Sequence, residues 1–368
     1  MFYYPVMGPQ DDTLRPHQRA RARGAVSNAT GRYETATHWA FDDGWDVPEE
    51  DRLIRTEVRL ERPRSAITYN RSPDLPFDRS INPYRGCEHG CIYCFARPTH
   101  AYLNLSPGLD FETKLIARPG IGKVLEQELR AKSYIPRTIA LGTNTDPYQP
   151  IEAEHGVMRE VLEVLHDFHH PLAIVTKGAM VERDIDLLAP MAAQGLARVG
   201  LSVTTLDPTL ARRLEPRAAA PARRLAAIRR LSEAGIPVRV MVAPVIPGLT
   251  DPELETILDA ARDAGAVAAS WIMLRLPLEI SPLFQEWLEA HAPGRAAKVM
   301  ARIRETHGGR DYDPEWGRRM RGQGIWSDLI GQRFDKAVAR LGLLVPQPPL
   351  RTDLFHPPPR AGDQLTLF

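Results

Sequence analysis

Between about residue 78 and residue 275 the chain alternates short apolar, β-branched runs with longer amphipathic stretches, and no other feature restricts the fold as much. The runs that read as strands are 81–85, 138–143, 171–176, 197–204, 237–243 and 267–275. Helical periodicity fills 121–132, 153–168, 182–194, 218–234 and 252–264 between them. Repeats of this kind join parallel strands, because a parallel pair needs a long crossover where an antiparallel pair needs only a turn. Asp207-Pro208 and Asp251-Pro252 each put a capping carboxylate before a proline suited to a first helical turn. Gly195, Gly235 and Gly265 sit where helices must stop. Six such units wound right-handed give an α/β chain whose centre is a partial (β/α)6 TIM-like barrel. Chemistry in such barrels gathers at the C-terminal ends of the strands. Those ends are polar here: Gly142 through Tyr148, Thr176-Lys177-Gly178, Ser202 with Thr204 and Thr205, Pro244 through Gly248, and Arg275.

The first strand runs into the three cysteines of the whole 368-residue chain, Cys87, Cys91 and Cys94, all within eight residues. The C-x3-C-x2-C spacing brings three thiolates to one point on a single loop. Iron and zinc both favour such soft ligands. A closed zinc site needs four ligands, so His89 or His100 would have to complete a Cys3His set. A [4Fe–4S] cluster normally takes one cysteine per iron, and three cysteines leave one iron open. A disulfide framework does not fit, since the count is odd and a chain of this length needs no staples.

The remainder divides by composition. Residues 1–60 read as an extended arm, basic through Arg15, Arg19, Arg21 and Arg23, then acidic through Asp42, Asp43, Glu49, Glu50 and Asp51. Such an arm is expected to wrap the surface or to be partly disordered. Residues 61–280 hold the barrel, and 281–345 read as a helical C-terminal extension with Trp287, Trp316 and Trp326 as packing anchors and a basic loop at 317–322. Residues 346–368 read as a flexible Pro-rich tail. Overall charge is balanced, 47 basic against 46 acidic residues, so no global field draws the protein to nucleic acid or membrane. No apolar run approaches the roughly 18 residues of a membrane span, and the start lacks a basic-then-apolar signal. A cytoplasmic protein is expected. Locally, seven arginines between 212 and 230 face one acid, Glu215, with Arg223 and Arg230 on one helical face. That face reads either as a track for phosphates or as a solvated outer helix.

The segment from Asn82 to Cys94, with Thr145 through Glu152 and with Thr176-Lys177, resembles the branch of the radical S-adenosylmethionine (SAM) superfamily related to spore photoproduct lyase. The resemblance covers roughly residues 62–280. It implies a [4Fe–4S] cluster on Cys87, Cys91 and Cys94, with Tyr93 beside it and SAM chelating the open iron. It also implies reductive cleavage of SAM to methionine and a 5′-deoxyadenosyl radical that abstracts hydrogen, and an electron donor such as flavodoxin or ferredoxin. Carried over by position, Asp146 with Thr145 receives the methionine ammonium, Lys177 meets the carboxylate, and Ser202 binds the ribose hydroxyls. Spore photoproduct lyases use a further cysteine as hydrogen-atom donor, and this chain has none. Dimer splitting by that route is not expected, and Tyr148 is the candidate stand-in.

The last five residues, Gln364-Leu365-Thr366-Leu367-Phe368, resemble the Q-L-S/D-L-F peptide by which bacterial repair proteins bind the DNA sliding clamp. Leu365, Leu367 and Phe368 would fill a groove and Gln364 would hydrogen-bond. The sequence thus reads as a radical SAM enzyme with a nucleic-acid substrate, acting in DNA repair. The alternatives are radical modification of RNA, protein or a small metabolite, and a non-catalytic zinc-bearing nucleic-acid-binding module.

Overall fold

The computed structural model describes residues 22–34, 54–343 and 346–359. Its strands are β1 (Glu57–Leu60), β2 (Ile67–Tyr69), β3 (Arg79–Ile81), β4 (Tyr84–Arg85), β5 (Lys114–Ala117), β6 (Ile139–Leu141), β7 (Leu172–Thr176), β8 (Ala197–Ser202), β9 (Val238–Val245) and β10 (Ala268–Met273). β3, β6, β7, β8, β9 and β10 lie side by side in that order, all parallel, and β2 pairs antiparallel with β3 at one edge. This is the partial (β/α)6 TIM-like barrel that the alternation requires.

The first barrel strand departs from the expected 81–85. β3 stops at Ile81, since Pro83 has no amide hydrogen to continue the ladder. Tyr84 and Arg85 turn aside to pair with β5, which also pairs with β1, in a separate three-stranded sheet. The expected helix 153–168 is broken at Gly156, whose φ of +62° suits glycine, into Glu152–His155 and Val157–Asp167. Asp207 caps its helix as expected, accepting from the amides of Thr209 and Leu210 at 2.8 and 3.3 Å. Asp251 does not cap. It accepts from the Gly248 amide at 2.5 Å and begins a short 3-10 turn.

Ile81, Leu141, Ile174, Leu201 and Val240 belong to one apolar core under the barrel helices. A second cluster joins the cysteine loop (Ile92, Tyr93) and the barrel rim (Leu214, Ile246, Leu274) to the helices Ile280–His291 and Pro293–Thr306. The helical extension therefore packs directly on the cysteine loop. Trp287 is its anchor: fully buried, stacked on Phe284 at 5.8 Å, with Nε1 donating to the Arg213 carbonyl at 3.0 Å. Trp316 does not anchor anything comparable, because it lies in an exposed turn between helices. Trp326 is half-buried beneath the Arg302 guanidinium, 4.0 Å from its ring centroid.

Residues 24–27 of the arm are buried, and the Gly24 and Ala25 amides donate to the Glu112 carboxylate at 2.9 and 2.8 Å. Arg15, Arg19, Arg21 and the acidic residues between 42 and 51 lie outside the described residues. Within the stretch expected as a flexible tail, residues 346–359 lie against the barrel. Leu354 and Phe355 interrupt the prolines and pack on the core, and the Arg351 and His356 amides donate to the carbonyls of Gly195 and Phe168. Gln364, Leu365, Leu367 and Phe368 lie outside the described residues. The arginine-rich stretch is partly neutralised: Arg223 and Arg230 both pair with Glu182, at 2.9 and 3.1 Å, Arg217 pairs with Glu88, and Arg224 is buried against Glu215. These pairings support the outer-helix reading of that face over a phosphate track.

Trp287→Ala is expected to destabilise the protein by about 3–5 kcal/mol in urea unfolding. A smaller loss of about 1 kcal/mol would mean the helical extension is not held through this residue. A second expectation concerns His170, whose Nδ1 faces the Pro171 carbonyl at 3.0 Å and therefore donates, leaving Nε2 to accept from Tyr134 at 2.7 Å. Burial pushes its pKa down to about 4. The folded state thus favours the neutral ring, so its contribution is complete above about pH 6.5 and is lost as pH falls towards 4. Stability measured across that window should fall by up to about 3 kcal/mol from this group, and His170→Gln should flatten the slope.

Candidate functional site

The cysteine loop is built to close tightly. Gly86 and Gly90 adopt φ values of +74° and +66°. A Cβ at Gly86 would meet the Leu115 side chain at 2.7 Å, and one at Gly90 would meet the Glu112 carboxylate at 2.6 Å. Arg97, fully buried, then gathers the loop. Its guanidinium donates to the carbonyls of Cys91 (2.9 Å), Pro107 (3.0 Å), Gly108 (2.9 Å) and Gly90 (3.2 Å), and to Glu112 Oε1 at 2.5 Å. On the other side Thr145 donates to the Gly86 carbonyl at 2.7 Å, and Gln149 takes the Glu88 amide at 2.7 Å.

Cys87, Cys91 and Cys94, all free thiols, line one cavity at the C-terminal rim of the barrel. Tyr93, Thr145, Asp146, Lys177 and Ser202 line it with them. Tyr148 is not brought there. Its backbone amide is tied to Asp146 at 2.9 Å, and its buried phenol donates to Asp184 at 3.0 Å, behind the cavity wall. The expected stand-in donor therefore has no access to the site.

Burial raises all three thiols above the ordinary range, helped by Asp146 at Cys87 and by Glu215 at Cys91. Such thiols ionise when a cation arrives to hold them, which suits a soft metal centre. A single zinc ion fits poorly. His89 Nδ1 stands 3.2 Å from Asp146, and His100 Nε2 is bonded to the Lys114 carbonyl at 3.0 Å. Among the described residues no three His, Cys, Asp or Glu side chains converge on one metal position. A cluster that gives each cysteine a different iron does not need that convergence.

The polar groups on the wall are mostly committed to one another. Asp146 accepts from Thr176 Oγ1 (2.6 Å), the Lys177 amide (2.7 Å) and the Tyr148 amide (2.9 Å), with His89 as fourth neighbour. Burial works against its charge, but His89 and these donors outweigh it and hold the pKa below the usual carboxylate value. Through these three hydrogen bonds Asp146 braces the loops after β6 and β7 at the cavity wall. Lys177 Nζ contacts Thr204, the Ala243 carbonyl and Glu215, each at 3.1 Å. Glu215, fully buried, also accepts from Tyr93, Thr204 and Arg224. Burial opposes its ionisation, yet Arg224 and Lys177 outweigh that and hold it well below its ordinary pKa. Ser202 differs: no hydrogen bond engages its hydroxyl among the described residues, and it faces the cavity.

Sequence reasoning missed the Arg97–Glu112 and Glu215–Arg224 pairs, and it missed Phe95 and Met241 in the cavity wall. Arg275 was visible as the polar end of the sixth strand, and the pairs carried no spacing signal.

A family model described as the Radical SAM superfamily matches residues 81–261. An uncharacterized protein of Mycobacterium tuberculosis is 40% identical over 279 residues, spanning 74% of this chain and 79% of its own length. An uncharacterized protein of Methanocaldococcus jannaschii is 28% identical over 173 residues, 47% of this chain and 62% of that protein. Among solved structures, spore photoproduct lyase complexed with dinucleoside spore photoproduct aligns with a TM-score of 0.57 at 15% identity, covering 78% of this chain and 80% of that one. At that identity the likeness is one of fold.

Removing Arg97 leaves Glu112 as a buried, uncompensated carboxylate, which costs about 3–5 kcal/mol. Arg97→Met should therefore lower the unfolding midpoint and reduce the iron retained per chain after anaerobic reconstitution. Wild-type iron content and stability in this variant would show that the loop holds its shape without the pair.

Proposed function

The chain belongs to the radical SAM superfamily, and on that premise we propose that it binds a [4Fe–4S] cluster and SAM in the rim cavity and initiates radical chemistry there. Cys87, Cys91 and Cys94 would hold the cluster. When bound, the cluster supplies an electron to the SAM sulfonium, whose cleavage gives methionine and a 5′-deoxyadenosyl radical able to take a hydrogen atom from a substrate. The observation that carries this reading is the meeting of three free thiols on one wall of a cavity at the strand C-termini.

The chain's own residues then have separable tasks. Ser202 presents an uncommitted hydroxyl suited to the ribose. Tyr93, fixed by Glu215 and Thr204, forms a buried wall beside the thiols. Lys177, held by Glu215, gives that wall a positive charge that favours an anionic carboxylate nearby. Asp146 keeps the loops after β6 and β7 in register and lines the cavity, where its carboxylate suits the methionine ammonium of SAM. The apolar remainder, including Val175, Met241, Pro244 and Leu274, excludes water from a reactive intermediate.

Reconstitution without oxygen should give a brown protein with about four irons per chain. Dithionite and SAM should then yield 5′-deoxyadenosine. Replacing any one of the three cysteines with alanine should abolish that product, while Ser202→Ala should raise the KM for SAM with little change in iron content. A colourless protein holding one zinc per chain would contradict the reading.

For the substrate, we favour damaged DNA. The support is the fold shared with spore photoproduct lyase, together with the clamp-like sequence Gln364, Leu365, Leu367 and Phe368. The lack of a further cysteine in this chain argues for a lesion or a donor different from that enzyme's. The work would take place in the cytoplasm with flavodoxin or ferredoxin as reductant. 5′-Deoxyadenosine formation should rise with ultraviolet-damaged oligonucleotides over undamaged ones. A rise with RNA or peptide alone would transfer the substrate to those classes, and clamp pull-down unaffected by deleting 364–368 would remove that partner.

A further inference from the structure

Three charged side chains line the cavity besides the cysteines, and two are accounted for. Asp146 is engaged by Thr176 Oγ1 and by the Lys177 and Tyr148 amides, and Lys177 Nζ faces Thr204, the Ala243 carbonyl and Glu215. The third is Arg275, two residues beyond the end of β10. It is half-buried, and among the described residues no carboxylate, carbonyl or hydroxyl engages it in a hydrogen bond or ion pair. Its one specific contact is with Phe95, the residue after the last cysteine, whose ring centroid lies 4.4 Å from the guanidinium carbon. Phe95 is itself 46% exposed, which puts the pair at the cavity mouth.

One neighbouring arginine makes the contrast: Arg319 is held by Asp74 at 2.6 and 2.7 Å. Arg321, like Arg275, rests on an aromatic ring, Trp271 at 4.5 Å, but it does not line the cavity. A guanidinium drawn partly out of water without a directly bonded anion is unfavourable, and burial lowers the Arg275 pKa even though Asp74 nearby works the other way. The planar fork of arginine matches two oxygens of a carboxylate or phosphate at once, and stacking on an aromatic ring fixes the plane of that fork. Arg275 is therefore set in orientation and lacks only its anion.

We propose that Arg275, oriented by Phe95, receives an oxyanion of the substrate, phosphate or carboxylate, at the mouth of the cavity and so determines which substrates enter. The inference rests on the reading of the cavity as the SAM site, and it deepens that reading by naming the substrate group recognised. Lys177 stands over the Tyr93 ring and is bonded to Thr204, Ala243 and Glu215, whereas Arg275 stacks on Phe95, so the two cations address different ligands.

The test is calorimetric titration of the reconstituted full-length protein holding SAM, with thymidine monophosphate as phosphate probe and succinate as carboxylate probe. One probe should bind, and Arg275→Met should weaken it by about tenfold or more, with Arg275→Lys falling between because lysine keeps the charge and loses the fork. Binding of thymidine monophosphate alone assigns phosphate, and binding of succinate alone assigns carboxylate. SAM affinity and iron content, measured on the same samples, should match wild type and so show that Arg275→Met is folded. The proposal is overturned if neither probe binds wild type, if Arg275→Met binds them equally well, or if its loss falls on SAM. Two separate readouts keep the readings apart: failure of the reconstituted wild type to take up iron or bind SAM would refute the assigned function, whereas the probe contrast between wild type and Arg275→Met, repeated on cluster-free protein, addresses Arg275 by itself.

Discussion

The buried ion pair between Arg97 and Glu112 is the joint on which the site depends. Neither group reaches solvent, and between them they take up the carbonyls of Gly90, Cys91, Pro107 and Gly108 and the amides of Gly24 and Ala25. Three separate stretches of chain, the arm, the cysteine loop and the turn before β5, thus share one pair of charges. A buried pair of this kind is tolerated when its remaining hydrogen-bonding positions are satisfied, and here they are. The cysteine loop has no regular secondary structure of its own to fix it. Its shape comes from these polar contacts and from the positive φ of Gly86 and Gly90.

A second buried network lies beside the thiols, reaching them through Tyr93. Glu215 links Tyr93, Thr204, Lys177 and Arg224, one anion between two cations, so the wall keeps a net positive charge next to the thiols. Such a charge favours an anionic ligand beside Lys177. The two networks differ in reach. Arg97 and Glu112 fix geometry, while Glu215 and its partners fix potential.

Much of this was legible in sequence, for identifiable reasons. The parallel barrel followed from alternating periodicity, and the helix ends at Gly195, Gly235 and Gly265 each carry the positive φ that glycine supplies. The cavity residues Cys87, Cys91, Cys94, Asp146, Lys177 and Ser202 stand at strand ends, where barrel topology gathers them. What could not be read were directions and pairings. Tyr148 occupies a rim segment, yet its side chain points to Asp184, a fact set by backbone bonds to Asp146. The docking of Leu354 and Phe355 was hidden by surrounding prolines. Arg224 looked like part of a basic face, and only tertiary structure places it beside Glu215 inside the protein.

The account turns on whether Cys87, Cys91 and Cys94 leave one iron free for SAM. Electron paramagnetic resonance of the reduced, reconstituted protein before and after adding SAM addresses this directly, with isotope-labelled SAM amino nitrogen to report contact with iron. The account predicts a changed cluster signal with SAM and coupling to the labelled nitrogen. An unchanged signal without coupling, from protein that carries its full complement of iron, would contradict it.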